Sequence, residues 1–204
     1  SSNSVREGVE KVEVDLEGGW RIDPANDNAL RIHRFRMQID TQDRGVKEGW
    51  YSAEQNDGRW ASVEPAQFAE QLGSVSQTSV PLDFSSGKPQ VELPLAVWYR
   101  ATFQADAVPS KLSLVLDRSA IQGDYTIFLN GTKLPSNAFR PTFRYDNGNL
   151  TCALGRRVTK GKNVIAVRVE IQNPSDGLVD PFYLFVVNLS ELVLGFMYVL
   201  PQFV

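Results

Sequence analysis

The chain has 204 residues, 42% hydrophobic and 22% charged, which is enough apolar material for a sizeable core and excludes disordered, collagen-like and fibrous classes. A formal net charge of -3, with 24 carboxylates against 21 lysines and arginines, gives no electrostatic footprint for a phosphate backbone, so no nucleic-acid partner is expected. One cysteine and one histidine exclude an internal disulfide framework and any zinc site built on several cysteines or histidines.

The opening residues, SSNSVREGVEKVEVDLEG, lack the apolar stretch of a secretory signal. Sequence leaves the compartment open, with an extracellular or periplasmic place expected over a cytoplasmic one. Beyond them, period-two alternation recurs along nearly the whole chain, and helical periodicity is confined to a short turn expected at 65–72. Many short strands, frequent turns and almost no helix predict an all-β fold, a β-sandwich or jelly roll. We expect one domain over 1–204, with its core within 9–187.

In 30–39 the apolar set is Leu30 and Ile32, then Phe35, Met37 and Ile39. The parity flips between Ile32 and Phe35, which predicts either a β-bulge at His33-Arg34 or a strand that changes sheets there. Residues 45–94 are rich in Trp, Pro, Ser and Gly and read as a long decorated connection, the kind of loop that carries binding on a rigid scaffold. VWYRATF at 97–103 places Val97, Tyr99, Ala101 and Phe103 on a core face, and Trp98, Arg100 and Thr102 on the other.

Leu112, Leu114 and Leu116 share one face of the next strand. GDYTIFLNGTKL at 123–134 ends a strand in Asn130-Gly131, the pair that supplies the two positive-φ positions of a type I′ hairpin turn. AFRPTFRYDNG at 138–148 interleaves Arg140, Arg144, Tyr145 and Asp146, which suits either a sugar-contacting segment or an edge strand whose charges prevent pairing. Ile165, Val167, Val169 and Ile171 share a face, with Arg168 and Glu170 opposite. The apolar end, FYLFVVNLSELVLGFMYVLPQFV, is interrupted by Asn188, Ser190, Glu191 and Pro201 and reads as two buried strands, the second within 188–204, rather than a membrane helix.

Trp98 beside Arg100 pairs a flat apolar ring with a planar fork of donors, the combination that pyranose recognition needs: C–H faces stack on the ring and hydroxyls take directional hydrogen bonds. The alternative is that Arg100 salt-bridges a neighbouring strand while Trp98 packs beneath the long connection. Trp50, Tyr51 and Trp60 are each either a ligand platform or a plug that closes the end of the sandwich. No G-x-S-x-G, P-loop or G-x-G-x-x-G is present, and no carboxylate pair is marked as acid and nucleophile, so no catalytic residues are assigned. Cys152 is expected to be a small core residue. Asn130, Asn149 and Asn188 each begin an N-x-Ser/Thr triplet.

GWYSAEQNDGRWASVEP at 49–65, VWYRATF at 97–103, YTIFLNGTKL at 125–134, KGKNVIAVRVE at 160–170 and GLVDPFYL at 177–184 follow Trp20 in that order. This succession resembles the sugar-binding, galactose-binding-like jelly-roll domain of glycoside hydrolase family 2 and related large glycosidases, over about residues 14–187. The resemblance implies a non-catalytic carbohydrate-binding or accessory domain, and for Trp60, whose equivalent in the family precedes a structural Val-x-x-Pro turn, it implies a plug. Its implied partners are an oligo- or polysaccharide and a neighbouring catalytic domain of a larger polypeptide. The rival is a structural or protein-interaction sandwich without sugar affinity; stand-alone hydrolysis is the remotest reading, since a (β/α)₈ barrel needs roughly 250 residues. Expected sugar contacts are Trp50, Tyr51, Trp98, Arg100, Arg140 and Tyr145. No organic cofactor is expected. Related sandwiches hold a structural calcium, for which Asp23, Asp27 and Asp180, with Asn26, are the oxygen donors near loop ends.

Overall fold

A computed structural model describes residues 20–22, 29–75, 93–108, 111–141 and 148–186. The first strands are β1 (Trp20–Ile22), β2 (Ala29–Ile32) and β3 (Phe35–Asp40), followed by the one-turn helix α1 (Gly45–Glu48), β4 (Ala61–Val63) and the helix α2 (Phe68–Val75). The long strand β5 (Leu95–Ala105) leads to β6 (Leu112–Asp117), β7 (Ile121–Gln122), β8 (Asp124–Leu129) and β9 (Thr132–Lys133). Then come β10 (Arg140–Pro141), β11 (Asn149–Ala153), the second long strand β12 (Gly161–Ile171), β13 (Gly177–Leu178) and β14 (Phe182–Val186).

These strands form a seven-stranded sheet in the order β4-β3-β5-β12-β8-β9, with β1 added in parallel to β5, and a five-stranded sheet in the order β10-β11-β6-β14-β2. A small pair, β13-β7, completes the set. The fold is an all-β sandwich. β5 and β12 run antiparallel along their full lengths, from Gly161 opposite Ala105 to Ile171 opposite Leu95. Their inward side chains meet Leu112, Leu114, Leu116, Phe182 and Leu184 of the other sheet. Phe35 and Phe182 touch across the sheets nearly edge-on, with centroids 5.6 Å apart.

The parity flip at His33-Arg34 is a change of sheet. Leu30 pairs with Leu184 in the five-stranded sheet, and Met37 pairs with Tyr99 in the seven-stranded one, so one continuous stretch feeds the same core from both sides. The Asn130-Gly131 hairpin forms as read, with φ of 49° and 81° and Leu129 facing Thr132. Asn130 does more than turn: its amide donates to Arg157 O and Asn163 Oδ1 at 2.9 and 2.8 Å, and its Oδ1 accepts Val164 N.

The expected helical turn at 65–72 is displaced toward the C-terminus. Its opening amides are satisfied from far away in sequence, Phe68 N by Asp176 O at 2.8 Å and Ala69 N by Pro174 O at 3.0 Å, and this sets where α2 starts. Phe68, Leu72 and Val75 then fall on one buried stripe. Beneath them the Tyr99 hydroxyl donates to Gln71 Oε1 at 2.7 Å, and burial holds that phenol far above its ordinary pKa, so it remains a donor.

β10 is the edge of the five-stranded sheet and includes Pro141, a residue edges tolerate. That fits the edge reading for the first part of 138–148; Arg144, Tyr145 and Asp146 lie outside the described residues. Cys152 sits in the core, where burial raises its thiol pKa and leaves it inert. The segment 187–204 is likewise outside the described residues, and among those described no helix is long and apolar enough to cross a membrane.

Candidate functional site

The outer face of the seven-stranded sheet is crossed by two rows of paired residues. Thr126, Arg168, Trp98 and Gln38 form one row; Phe128, Ala166, Arg100 and Arg36 form the next. Residues 41–60 fold back over these rows, so a face that alternation alone would give to solvent is covered. Trp98 has 0% and Arg100 1% of its surface exposed.

Asp40, at the end of β3, anchors the start of this cover. Its buried carboxylate accepts Arg44 N at 2.8 Å, Gly45 N at 2.7 Å and the Trp98 indole N–H at 3.2 Å. Asp43 then holds Arg168 through Nε at 3.1 Å and Nη2 at 2.8 Å. α1 rests directly on two indoles, which is why residue 45 is glycine. A Cβ there would overlap Trp98 Nε1 and lie 2.6 Å from Trp98 Cε2 and 2.8 Å from Trp50 Cε3. Gly45→Ala is therefore expected to cost about 1–3 kcal/mol by overpacking. The check is a denaturation midpoint, and an unchanged midpoint would show that α1 lifts off freely.

The rest of the cover closes around one guanidinium. Arg100 Nε donates to Asp57 Oδ2 at 2.8 Å, Nη1 to Trp50 O at 2.6 Å and Ser52 O at 2.9 Å, and Nη2 to Gln55 O at 3.2 Å. Its Cζ lies 5.7 Å from the centre of the Trp60 ring. Trp50 meets Trp60 edge-on at 5.4 Å and Trp98 at 6.3 Å, while Tyr51 stacks on Phe128 at 4.8 Å. The Trp50 indole N–H donates to Glu48 Oε2 at 3.0 Å. Ser52 Oγ accepts Glu54 N, and Asn56 Oδ1 accepts Gly58 N, which shapes the turns between the anchors.

The structure thus brings together Trp50, Tyr51, Trp98 and Arg100 of the residues read as sugar contacts, and it ranks them by depth. Trp98 and Arg100 lie inside, Trp50 is nearly buried, and Tyr51 is half-buried at the rim beside Ser52 and Gln55. The directional donors of Arg100 are turned to the loop's own acceptors. What this face presents to a ligand is the rim. Trp60 is a plug, as expected, although it seals the outer face of a sheet. Arg140 is exposed on the edge of the opposite sheet and does not join the cluster, and Tyr145 lies outside the described residues.

Asp40, Gly45 and Asp57 carry no role in the sequence reading. Asn56-Asp57-Gly58 is a turn signal in sequence, which says nothing of a partner for Asp57, and an aspartate shortly before a helical turn is a faint cue for Asp40. Asp23, Asn26 and Asp27 are outside the described residues, leaving Asp180 alone of the expected calcium donors. Among the described residues no group of three or more His, Cys, Asp or Glu side chains is placed to hold a metal ion, so no role for calcium is derived.

A second feature is an open cleft of about 410 Å³ lined by Arg34, Ser62, Glu64, Glu70 and Gln71, with Val63 and Ala66. None of the tryptophans lines it. Its Arg34 is held by Glu64 at 3.0 Å, and the Gln71 amide is committed to Glu64 O and to the Tyr99 hydroxyl. At the adjoining sheet change, partial burial and then the Arg31 guanidinium hold His33 below its ordinary pKa, so the single histidine is neutral at neutral pH.

No protein-family model matches this chain, and no curated protein matches it. Solved structures do. The exo-chitosanase CsxA of Amycolatopsis orientalis shares the fold with a TM-score of 0.59 at 15% identity, over 77% of this chain and 20% of that one. The ligand-free β-glucuronidase of Ruminococcus gnavus does so with a TM-score of 0.53 at 15% identity, over 84% of this chain and 31% of that one. The same enzyme in complex with uronic isofagomine gives 0.51 at 15% identity, over 83% and 30%. This chain therefore spans less than a third of the length of these glycosidases, and the likeness is one of fold.

Proposed function

We propose that this chain is a non-catalytic carbohydrate-binding or accessory domain that works beside a glycosidase catalytic domain in a larger polypeptide. The observation that carries the reading is that this sandwich recurs as a fraction of two different carbohydrate-processing enzymes. The outer face adds a reason. A loop of aromatic and hydroxyl-bearing residues is held rigidly against the sheet by Arg100 and Asp40, so its rim is presented with little ordering cost on binding. Sugar contacts fall to Tyr51, Ser52 and their exposed neighbours, while Trp50, Trp98 and Arg100 support them from below.

The burial of Trp98 and Arg100 also favours a second reading, in which the covered face braces the neighbouring domain and has no sugar affinity. Titration of the chain against a broad polysaccharide panel separates the two. Under the first reading Tyr51→Ala weakens binding about tenfold, roughly 1.4 kcal/mol, measured below the denaturation midpoint, which also falls because the ring stacks on Phe128. Absence of binding by the unmutated chain moves the function to the brace.

Neither reading includes catalysis, so the isolated chain is expected to leave aryl glycosides intact. Glu64 and Glu70 in the cleft are the carboxylates to watch. Turnover that disappears in Glu64→Gln or Glu70→Gln would overturn the proposal.

A further inference from the structure

The chain is acidic overall, yet the fold gathers exposed cations at one end of the sandwich. Three sequence segments, 107–116, 127–141 and 150–163, contain no Asp or Glu. They meet there. Leu154 N donates to Leu112 O at 2.9 Å, Asn130 Nδ2 donates to Arg157 O at 2.9 Å, and Leu129 pairs with both Thr132 and Ile165. The exposed side chains carried to this end are Lys111, Lys133, Arg156, Arg157, Lys160 and Lys162. Ion pairs among the described residues engage Arg21, Arg34, Arg44, Arg100 and Arg168, and none of these six. The nearby carboxylate, Asp106 beyond the end of β5, is taken by Arg21 at 2.6 Å.

The loop bearing most of these cations is built, not loose. Asn163 is fully buried, donates to Thr159 O at 2.8 Å and Gly161 O at 2.9 Å, and accepts Thr159 N at 2.9 Å. The patch also continues into the rim described above. Lys133 pairs with Phe128, on which Tyr51 stacks, and a Cβ on Gly131 would lie 3.9 Å from Ser52 Cα. A ligand spanning both surfaces would meet hydroxyl and aromatic groups, with the exposed Glu54 among them, at one end, and at the other cations that form no ion pair among the described residues.

We infer that this end binds an acidic polysaccharide, one whose carboxylate or sulfate groups recur about once per sugar. The inference rests on the carbohydrate reading and narrows its substrate class. Charge density favours such a chain over nucleic acid. Duplex DNA carries a charge every ~1.7 Å along its axis, and its length would meet the negative remainder of a molecule of net charge -3.

The test compares the unmutated chain with the triple variant Arg156→Gln, Lys160→Gln, Lys162→Gln. Each is titrated with polygalacturonate, fully methyl-esterified polygalacturonate, heparin and a short DNA duplex. The expected result is binding of polygalacturonate or heparin that weakens with added salt and falls about tenfold or more in the variant, while the denaturation midpoint stays put because all three side chains are exposed. The first two polymers distinguish charge from backbone, and heparin distinguishes sulfate from carboxylate. Equal binding of the acidic polymers by the variant overturns the inference, as does tighter binding of DNA. Binding of the esterified polymer alone, unchanged in the variant, overturns the inference and leaves the carbohydrate reading standing. No binding of any polysaccharide ends both.

Discussion

Arg100→Ala is expected to lower folding stability by about 3–5 kcal/mol, the range for removing one partner from a buried charge pair. The guanidinium is 1% exposed and serves Asp57 and the carbonyls of Trp50, Ser52 and Gln55 together. Removing it takes the donor from the Asp57 carboxylate, which is 25% exposed, and from the carbonyls of Trp50, Ser52 and Gln55, of which Ser52 O keeps Gln55 N at 3.3 Å. Arg100→Lys should recover only part of the loss, because one ammonium cannot reach a set of acceptors arranged around a planar fork. Trp50 and Trp60 ride on the affected loop, so tryptophan fluorescence should report its release before circular dichroism reports loss of the sheets. A midpoint close to that of the unmutated chain would mean that the cover is held by its tryptophans alone.

Trp98→Ala is the second large effect, about 3–5 kcal/mol for truncating a fully buried tryptophan. The indole fills the space between β5 and residues 45–51, touching Trp50, Tyr51 and Phe128 and donating to Asp40. Its loss leaves a cavity and also takes one donor from a buried carboxylate. Trp98→Phe should cost less than Trp98→Ala, since it keeps an aromatic ring and gives up chiefly the Asp40 hydrogen bond. The paired readout is a denaturation midpoint and a polysaccharide titration on the same protein. A large drop in binding with an unmoved midpoint would show that the ring is reached by the sugar and that the cover opens in solution.

Much of the fold was legible because it rests on local rules. The hairpin follows from Asn130-Gly131, a bulge or a sheet change from the parity of Leu30 to Ile39, of which the structure has the sheet change, and the two faces of β5 from strict alternation. Alternation says which residues share a face, however, and not whether that face is wet. Whether Trp98 and Arg100 meet solvent is decided by residues 41–60, and these are held in part by the backbone carbonyls of Trp50, Ser52 and Gln55, which every residue type carries and no spacing reveals. α2 was misplaced for a similar reason, its start being set by carbonyls at 174 and 176. Arg140 read plausibly beside the aromatics because an arginine near a phenylalanine looks alike in either sheet. The cationic end was hidden too: the lysines and arginines come from separate segments, and only the pairing of β6, β8 and β12 with their neighbours assembles them.

The way Arg100 holds its loop bears on how this protein could diversify. It grips main-chain oxygens at positions 50, 52 and 55, so the path of the loop is indifferent to which side chains stand at Ala53, Glu54 and Gln55. Ser52 and Asn56 keep the turns, and the three positions between them project from a backbone already locked. Under the carbohydrate reading, new specificities can therefore be drafted there by point substitution without renegotiating the architecture, which makes this tripeptide the natural place to randomise in a selection for sugar binding.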